Sequence, residues 1–256
     1  IEHLQALASG APAPRGPRSP PEAASLAWKR TPSAKPRLEP RPLRVLVLFA
    51  GPCEAESNLP LHLRRAGCLV EAIDTKLGGS SHDVLRGSVG DLILDRVRAC
   101  AYDAVFLATP CSSYSVRHDP PLRDCAHPEG LQPLPAGWEA YVAKHNMLAA
   151  FTARVLDACH ASATPAALEN PSDRADASSP AFWKEFERHG SLWRMPCIAD
   201  SLGAARAAFH TFAQCALGAR AQKWTTVASI GHMREALAGL GAPRYACGHG
   251  RSGHPE

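Results

Sequence analysis

Short apolar runs alternate with amphipathic stretches along the chain from residue 44 onwards. The runs at 44–51, 68–74 and 104–108 have the length and aliphatic composition of buried strands. Between them, 59–66 and 91–99 carry apolar residues at helical spacing. Alternating strands and helices with short connections predict an α/β fold with a doubly wound, mostly parallel, Rossmann-like sheet.

The second half of the chain continues this pattern less regularly. A proline-rich segment at 119–137 interrupts it, and its length indicates either a functional lid or an insertion. The remaining predicted elements are a long helix at 138–160, a strand at 165–171, a short aromatic-rich helix at 179–188, a strand at 212–215 and a last helix at 232–240.

Charge and proline are concentrated at the N-terminus. Residues 1–44 hold eight Lys/Arg against three Asp/Glu, and nine of the 23 prolines lie in 1–42. Proline at this density prevents helices and sheet ladders, so we predict a disordered Pro/Arg-rich tail over 1–42. The tail is either a solvated linker or an arm whose cations contact phosphates. A Rossmann-like domain at 43–246 and a polar C-terminal tail at 247–256 complete the predicted organisation.

Several classes of protein are disfavoured by the composition. No apolar run approaches the roughly 20 residues of a membrane span, and the N-terminus lacks a signal-peptide pattern. Nine cysteines without any Cys-x-x-Cys pair argue against a disulfide framework. We therefore expect an intracellular protein, nuclear or cytoplasmic, without membrane contact. Cys247, His249 and His254 lie among glycines, and we interpret them as a polar tail rather than a metal site.

Polar residues follow the predicted strands at their carboxyl ends, where open α/β sheets bind ligands. Asp74 stands 23 residues after Gly51 and could accept the two hydroxyls of a ribose. Cys111 enters a loop directly after a strand, which makes it a candidate nucleophile. The alternative for the Gly51–Asp74 pattern is an ordinary α/β unit without a nucleotide ligand. The alternative for Cys111 is a small buried cysteine.

The 165–171 run adds a second reactive group, because Glu169 and Asn170 lie at its carboxyl end. A thiol and a carboxyl together suit attack on an electron-poor heterocycle: the thiolate adds to a ring carbon while the carboxyl supports the ring nitrogen. Glu169 could equally serve as an ion-pairing carboxylate. Thiol hydrolase chemistry is a further alternative, and it would need His118 beside Cys111.

These residues carry a resemblance to the DNA cytosine-5 methyltransferases. The pattern covers residues 44–171, about half of the chain, and the order and spacing of its motifs agree with that family. The matching segments are Leu48-Phe-Ala-Gly51, Asp74, His82-Asp83-Val84, Thr109-Pro110-Cys111-Ser-Ser-Tyr-Ser115 and Leu168-Glu-Asn-Pro171.

The resemblance implies an S-adenosylmethionine-dependent transfer of a methyl group to C5 of a cytosine in nucleic acid, DNA rather than RNA. Cys111 would add to C6 of a flipped-out base, with Glu169 at N3 and Asn170 holding the loop. The implied cofactor-binding residues are Phe49, Ala50, Gly51, Asp74, Asp83 and Pro110. The implied substrate-binding residues are Ser115, Arg117 and Lys223.

The chain also departs from the family pattern. Ser112 replaces the usual Gln after the nucleophile, and residues 214–225 place Lys223 near the first Arg of a later motif and Thr225 at the second. Lysine lacks the planar fork of arginine. The 31 residues after Thr225 cannot hold a target-recognition domain, so we expect a separate domain or partner protein to supply recognition. The alternative is a catalytically inactive interaction module of the same fold, within a larger polyprotein.

Overall fold

The structure is a computed structural model that describes residues 41–52, 58–134, 136–220 and 222–247. The predicted tail at 1–42 lies outside the described residues except for its last two positions. The predicted C-terminal tail lies outside them after Cys247. Among the described residues, no helix has both the length and the apolar character needed to cross a bilayer.

A six-stranded sheet forms the centre of the fold, in the order β2-β1-β3-β4-β6-β5. Strands β1 to β4 are parallel, and β6 is antiparallel to both of its neighbours, β4 and β5. The predicted α/β fold with a mostly parallel sheet is therefore confirmed. The strands are β1 (Arg44–Leu48), β2 (Leu69–Ile73), β3 (Ala104–Leu107), β4 (Ala166–Pro171), β5 (Ala208–Ala213) and β6 (Trp224–Ile230).

Helices cover both faces of this sheet. In the described ranges they are α1 (Leu59–Arg65), α2 (Thr75–Gly78), α3 (Gly87–Arg98), α4 (Glu139–Ala161), α5 (Pro196–Ala204) and α6 (Met233–Leu237). Apolar side chains of α3, α4 and α5 pack with one face of the sheet in the largest core cluster. Leu63 of α1 and Met233 of α6 pack on the other face.

The alternation along β1 shows how the sequence divides these two cores. Leu46 and Leu48 belong to the α3–α4–α5 cluster, whereas Val45 and Val47 belong to the cluster that contains Leu63. Successive strand residues point to opposite faces, so a strand covered on both sides needs an unbroken apolar run. The continuous Val-Leu-Val-Leu of β1 meets this requirement.

Close packing of α3 against α4 depends on Gly90. A Cβ at this position would lie 2.6 Å from the carbonyl oxygen of Val84 and 3.2 Å from the Phe151 ring. No side chain fits in that space without moving backbone. Glycine is therefore required where α3 begins to pack against the long helix.

Some predicted elements of the second half are wrong. Residues 179–188 form turns and a single 3-10 segment, Lys184–Phe186, rather than a helix. The helix is interrupted because Trp183 has an extended backbone. The Trp183 ring lies under the Arg174 guanidinium, whose Cζ is 4.5 Å from the ring centroid. The strand predicted at 212–215 lies earlier, as β5. Helix α5 and strand β6 were not predicted, and the last helix ends at Leu237 and continues as a 3-10 turn.

Candidate active site

The order of strands reverses direction between β1 and β3. From β1 the chain moves outward to β2, and it then returns to the other side of β1 to form β3 and β4. The connections that follow β1 and β3 consequently diverge, which leaves a crevice at their carboxyl ends. Open α/β sheets bind ligands at this point. Phe49 begins the loop after β1, and Ala108 begins the loop after β3, which contains Pro110.

The loop after β1 has a constrained backbone. Phe49 and Gly51 have φ angles of 59° and 69°, and Phe49 N donates a hydrogen bond to Ile73 O over 2.8 Å. A positive φ is costly for an aromatic residue, and such strain is concentrated at functional sites. Gly51 N donates to Asp74 Oδ2 over 3.0 Å, which joins the ends of β1 and β2.

Asp74 is fixed on both of its carboxylate oxygens. Oδ2 accepts from Gly51 N, and Oδ1 accepts from Lys76 N over 2.8 Å as the N-cap of α2. Each oxygen keeps a further lone pair that can accept a hydroxyl proton. Asp83 lies close along the chain, before α3, where its Oδ1 accepts from Leu85 N over 3.1 Å.

Asn58 supports the same loop and was not predicted as a site residue. Its buried Nδ2 donates to Pro52 O over 2.8 Å and to Ala50 O over 3.2 Å, while Oδ1 accepts from Leu61 N as the N-cap of α1. An Asn followed by a proline in the first helical turn is a signal that sequence reasoning could have used. Its contacts with the loop carbonyls have no such local signal.

The Cys111 loop is anchored from two elements. Asn170 Nδ2 on β4 donates to Thr109 O over 2.7 Å. Thr109 Oγ1 lies 2.7 Å from Thr152 Oγ1 on α4, and the Thr152 hydroxyl proton is used toward Leu148 O, so Thr109 is the donor of this pair. Buried hydrogen bonds on both sides of Thr109 fix where the chain enters the loop that carries Cys111.

Cys111, Glu169 and Lys223 form an electrostatic cluster at the ends of β3 and β4 and the start of β6. Lys223 Nζ lies 3.3 Å from Glu169 Oε1. Burial raises the pKa of the Cys111 thiol, the nearby Lys223 charge lowers it and the Glu169 charge raises it, with a net increase. The thiol is consequently protonated at neutral pH and needs help to become a nucleophile.

A mostly apolar cavity of about 250 Å³ lies between the β1 loop and this cluster. Its lining includes Phe49 and Ala50 after β1, Ala108 after β3, Glu169 on β4 and Leu240 after α6. Glu169 therefore contacts the same space as the strained loop. A small planar or aliphatic group placed there would have a carboxylate beside it.

His145 and His189 both bond to the Cys111 loop, and His189 Nε2 lies 2.7 Å from Tyr114 O. His145 Nε2 lies 3.1 Å from Ser112 Oγ. The His118 ring instead packs edge-on against Trp138, with ring centroids 5.0 Å apart. The thiol hydrolase alternative needed His118 beside Cys111, and no bond between the two is present among the described residues.

The other predicted substrate-binding residues lie further along the loop. Ser115 borders a second cavity of about 650 Å³, between the Cys111 loop and residues 184–190. Its hydroxyl accepts from Arg117 N over 3.2 Å, and the Arg117 side chain is exposed. Pro110 is half-buried at the start of the loop. Ser115 and Arg117 are thus not part of the Cys111 cluster.

Lys223 and Thr225 are the two positions compared with the arginines of the family motif. Of these two, Lys223 contacts the Glu169 carboxylate and Thr225 does not. Thr225 is buried in β6 and its hydroxyl accepts from Gln214 Nε2 over 3.0 Å. The Cys247 side chain forms a hydrogen bond with the Cys215 thiol. The described residues contain no group of three or more metal-ligating side chains, and His249 and His254 lie outside them.

Comparison with models of known protein families and with curated proteins gives no match.

Proposed function

We propose that this chain is an S-adenosylmethionine-dependent methyltransferase with a Rossmann-like sheet that methylates C5 of cytosine in nucleic acid. The observation that carries the proposal is the convergence of Cys111, Glu169 and Lys223 beside the switch point of the sheet. DNA is the proposed substrate, and a separate domain or partner protein would supply sequence recognition.

The β1 and β2 ends fit the proposed cofactor. The strained loop at Phe49, Ala50 and Gly51 brings main chain to the crevice, and the fixed Asp74 carboxylate can accept from ribose hydroxyls. Asp83 and Pro110 border the same end of the sheet. S-adenosylmethionine, when bound, supplies an electrophilic methyl group.

The chain's own residues would prepare the base for that methyl group. The Cys111 thiol first loses its proton to solvent, and the resulting thiolate adds to C6 of the pyrimidine, which makes C5 nucleophilic, as an enamine carbon. Glu169 accepts from the ring's polar edge, and the Lys223 ammonium stabilises the negative charge that develops on the ring. Asn170 acts as a positioning residue, because it holds the loop that delivers Cys111.

A second candidate function is a methyltransferase-fold interaction module without catalysis. One observation favours it: burial raises the pKa of the Cys111 thiol, so the resting nucleophile is protonated. Such a module would keep the fold and lose the need for the cofactor.

Calorimetric titration with S-adenosylhomocysteine separates the two. We expect micromolar binding by the full chain and a loss of at least tenfold in Asp74→Ala, because the carboxylate that accepts the ribose hydroxyls is removed. Asp91→Ala is the matched control, since Asp91 is an exposed residue of α3 and pairs only with Arg154 among its described contacts. Absence of binding by the unaltered chain would contradict the methyltransferase proposal.

Binding would then justify a transfer assay on random-sequence DNA and RNA pools with radiolabelled S-adenosylmethionine. Digestion of the products to nucleosides identifies the methylated base. We expect 5-methylcytosine from DNA with the unaltered chain and none with Cys111→Ala. Cofactor binding without transfer to either pool would favour the interaction module.

A further inference from the structure

Ser112, next to the proposed nucleophile, lies between two hydrogen-bonding partners on α4. The Tyr141 hydroxyl donates to Ser112 Oγ over 2.6 Å, and Ser112 Oγ lies 3.1 Å from His145 Nε2. A serine hydroxyl has one proton and two lone pairs. Tyr141 uses one lone pair, so the second lone pair is left for a further donor.

The direction of the hydrogen bond to His145 follows from its other ring nitrogen. His145 Nδ1 lies 2.9 Å from Tyr141 O, a carbonyl that can only accept, so Nδ1 carries the proton. In a neutral imidazole Nε2 is then the acceptor, and Ser112 donates to it. A hydroxyl that donates to a histidine oriented by a third group is the arrangement of an activated serine.

His145 is buried, and its surroundings keep it neutral. Burial lowers its pKa, the charges of Arg123, Lys144 and His118 lower it further, and the hydrogen bond to Tyr141 O raises it, with a net decrease. Nε2 is therefore free to accept a proton at neutral pH. Ser112 is exposed, so it connects this buried base to the surface beside Cys111.

The proposed reaction needs such a base at its last stage. After methylation, C5 must lose its hydrogen as a proton before the base can leave the enzyme. At that stage the Cys111 sulfur is bound to C6, and Glu169 pairs with Lys223 and supports the ring edge. Neither group is available for the C5 proton.

We propose that Ser112 and His145 together accept the C5 proton, an inference that rests on the proposed methyltransferase function. The C5 proton moves to the free lone pair of Ser112 Oγ, while the Ser112 proton moves to His145 Nε2. The C5–H electron pair becomes the C5–C6 double bond. The C6–sulfur bond breaks, and its electron pair returns to Cys111 as a thiolate. The His145 imidazolium then returns its proton to the thiolate through solvent.

The test uses the full chain, S-adenosylmethionine and a random-sequence double-stranded DNA pool containing 5-tritiated cytosine. Tritium release and the covalent adduct at Cys111 are followed for the unaltered chain, Ser112→Ala and His145→Gln. We expect tritium release to slow about a hundredfold in both variants, with the methylated adduct accumulating and KM unchanged. Ser112 is exposed, so its variant preserves the core.

Two controls distinguish a proton acceptor from a structural role. Ser113→Ala should release tritium at the unaltered rate, because the buried Ser113 hydroxyl has no hydrogen-bond partner within the described ranges. With 5-fluorocytosine DNA there is no C5 proton to remove, so all these proteins should form the adduct at equal rates. Slower adduct formation in the Ser112 or His145 variants would overturn the proposal that these two residues accept the C5 proton.

The remaining outcomes separate this inference from the function on which it rests. If the unaltered chain and both variants release tritium at equal rates, Ser112 and His145 do not accept the C5 proton. The methyltransferase proposal would still stand. An unaltered chain that neither releases tritium nor forms the 5-fluorocytosine adduct would overturn both.

Discussion

Removal of the Asn170 amide tests how the fold positions the Cys111 loop. Asn170 is 1% exposed, and its Nδ2 donates to Thr109 O over 2.7 Å. Its Oδ1 has no hydrogen-bond partner in the part of the chain that the structure describes. The residue is therefore held in the core at a desolvation cost, with one strong contact to the loop that carries the thiol.

The expected stability loss follows from these contacts. Asn170→Ala leaves the Thr109 carbonyl unpaired and opens a cavity, so the free energy of unfolding should fall by about 2–4 kcal/mol. Asn170→Leu keeps the volume and also removes the unpaired Oδ1. Its loss should be smaller, about 1–2 kcal/mol. Both losses are below the stability of a typical domain, so the variants should fold.

Urea unfolding measures the stability of each variant. The rate at which iodoacetamide alkylates Cys111, followed by peptide mass spectrometry, measures how far the loop exposes the thiol. A released loop exposes the thiol and reduces the burial that raises its pKa, so alkylation at pH 8 should be several-fold faster in both variants. Thr211→Val is the matched control, because it breaks the 2.8 Å hydroxyl pair between Thr211 on β5 and Thr226 on β6 and leaves the Asn170–Thr109 hydrogen bond in place.

Two results would refute this reasoning. The first is an Asn170→Ala variant as stable as the unaltered chain. The second is a destabilised variant whose Cys111 alkylation rate is unchanged, or is matched by Thr211→Val, since general loosening would then explain the effect.

Two further changes probe the charges around the thiol and the packing behind the loop. Lys223→Met should raise the Cys111 pKa and shift the alkylation rate profile to higher pH, whereas Glu169→Gln should lower the pKa and shift the profile to lower pH. Gly190→Ala would place a Cβ 2.6 Å from the Arg123 Cβ. It should therefore lower the free energy of unfolding by about 1–3 kcal/mol in a urea titration.

Each of these changes has a control. The double variant Lys223→Met/Glu169→Gln removes both charges, so its alkylation profile should lie between those of the single variants. Equal profiles in all three would contradict the assigned cluster. Gly203→Ala is the control for Gly190, because nothing lies within 4 Å of a Cβ added there. A Gly190 variant as stable as the Gly203 variant would show that the Arg123 segment adjusts freely.

Local pattern was sufficient for the first half of the fold. The strands β1 to β3 were predicted from apolar runs, because a fully covered strand requires a continuous apolar run. Helices α1 and α3 were predicted from apolar spacing, whereas the single-turn helix α2 was not predicted. The polar residues at the strand ends could be assigned to one edge of the sheet, because the carboxyl ends of parallel strands meet at the same edge. Asp74, Cys111 and Glu169 follow directly from that rule.

The second half depended on contacts between residues distant in the chain. Strand β6 pairs antiparallel with both β4 and β5, and its sequence carries no local signal for this choice. The pattern of aromatic residues in 179–188 is typical of a short helix, yet the Arg174 contact holds the Trp183 backbone in an extended conformation. Local propensity yields where tertiary packing contributes more free energy.

The sequence by itself determined the α/β class, the strand ends and the residue types that carry chemistry there. Tertiary structure alone decided which of them meet. Lys223 reaches Glu169 only because β6 inserts beside β4, and Ser112 meets His145 only because α4 packs against the loop. These pairs are separated by 54 and 33 residues, and contacts at such separations are set by the packing of whole elements rather than by local sequence.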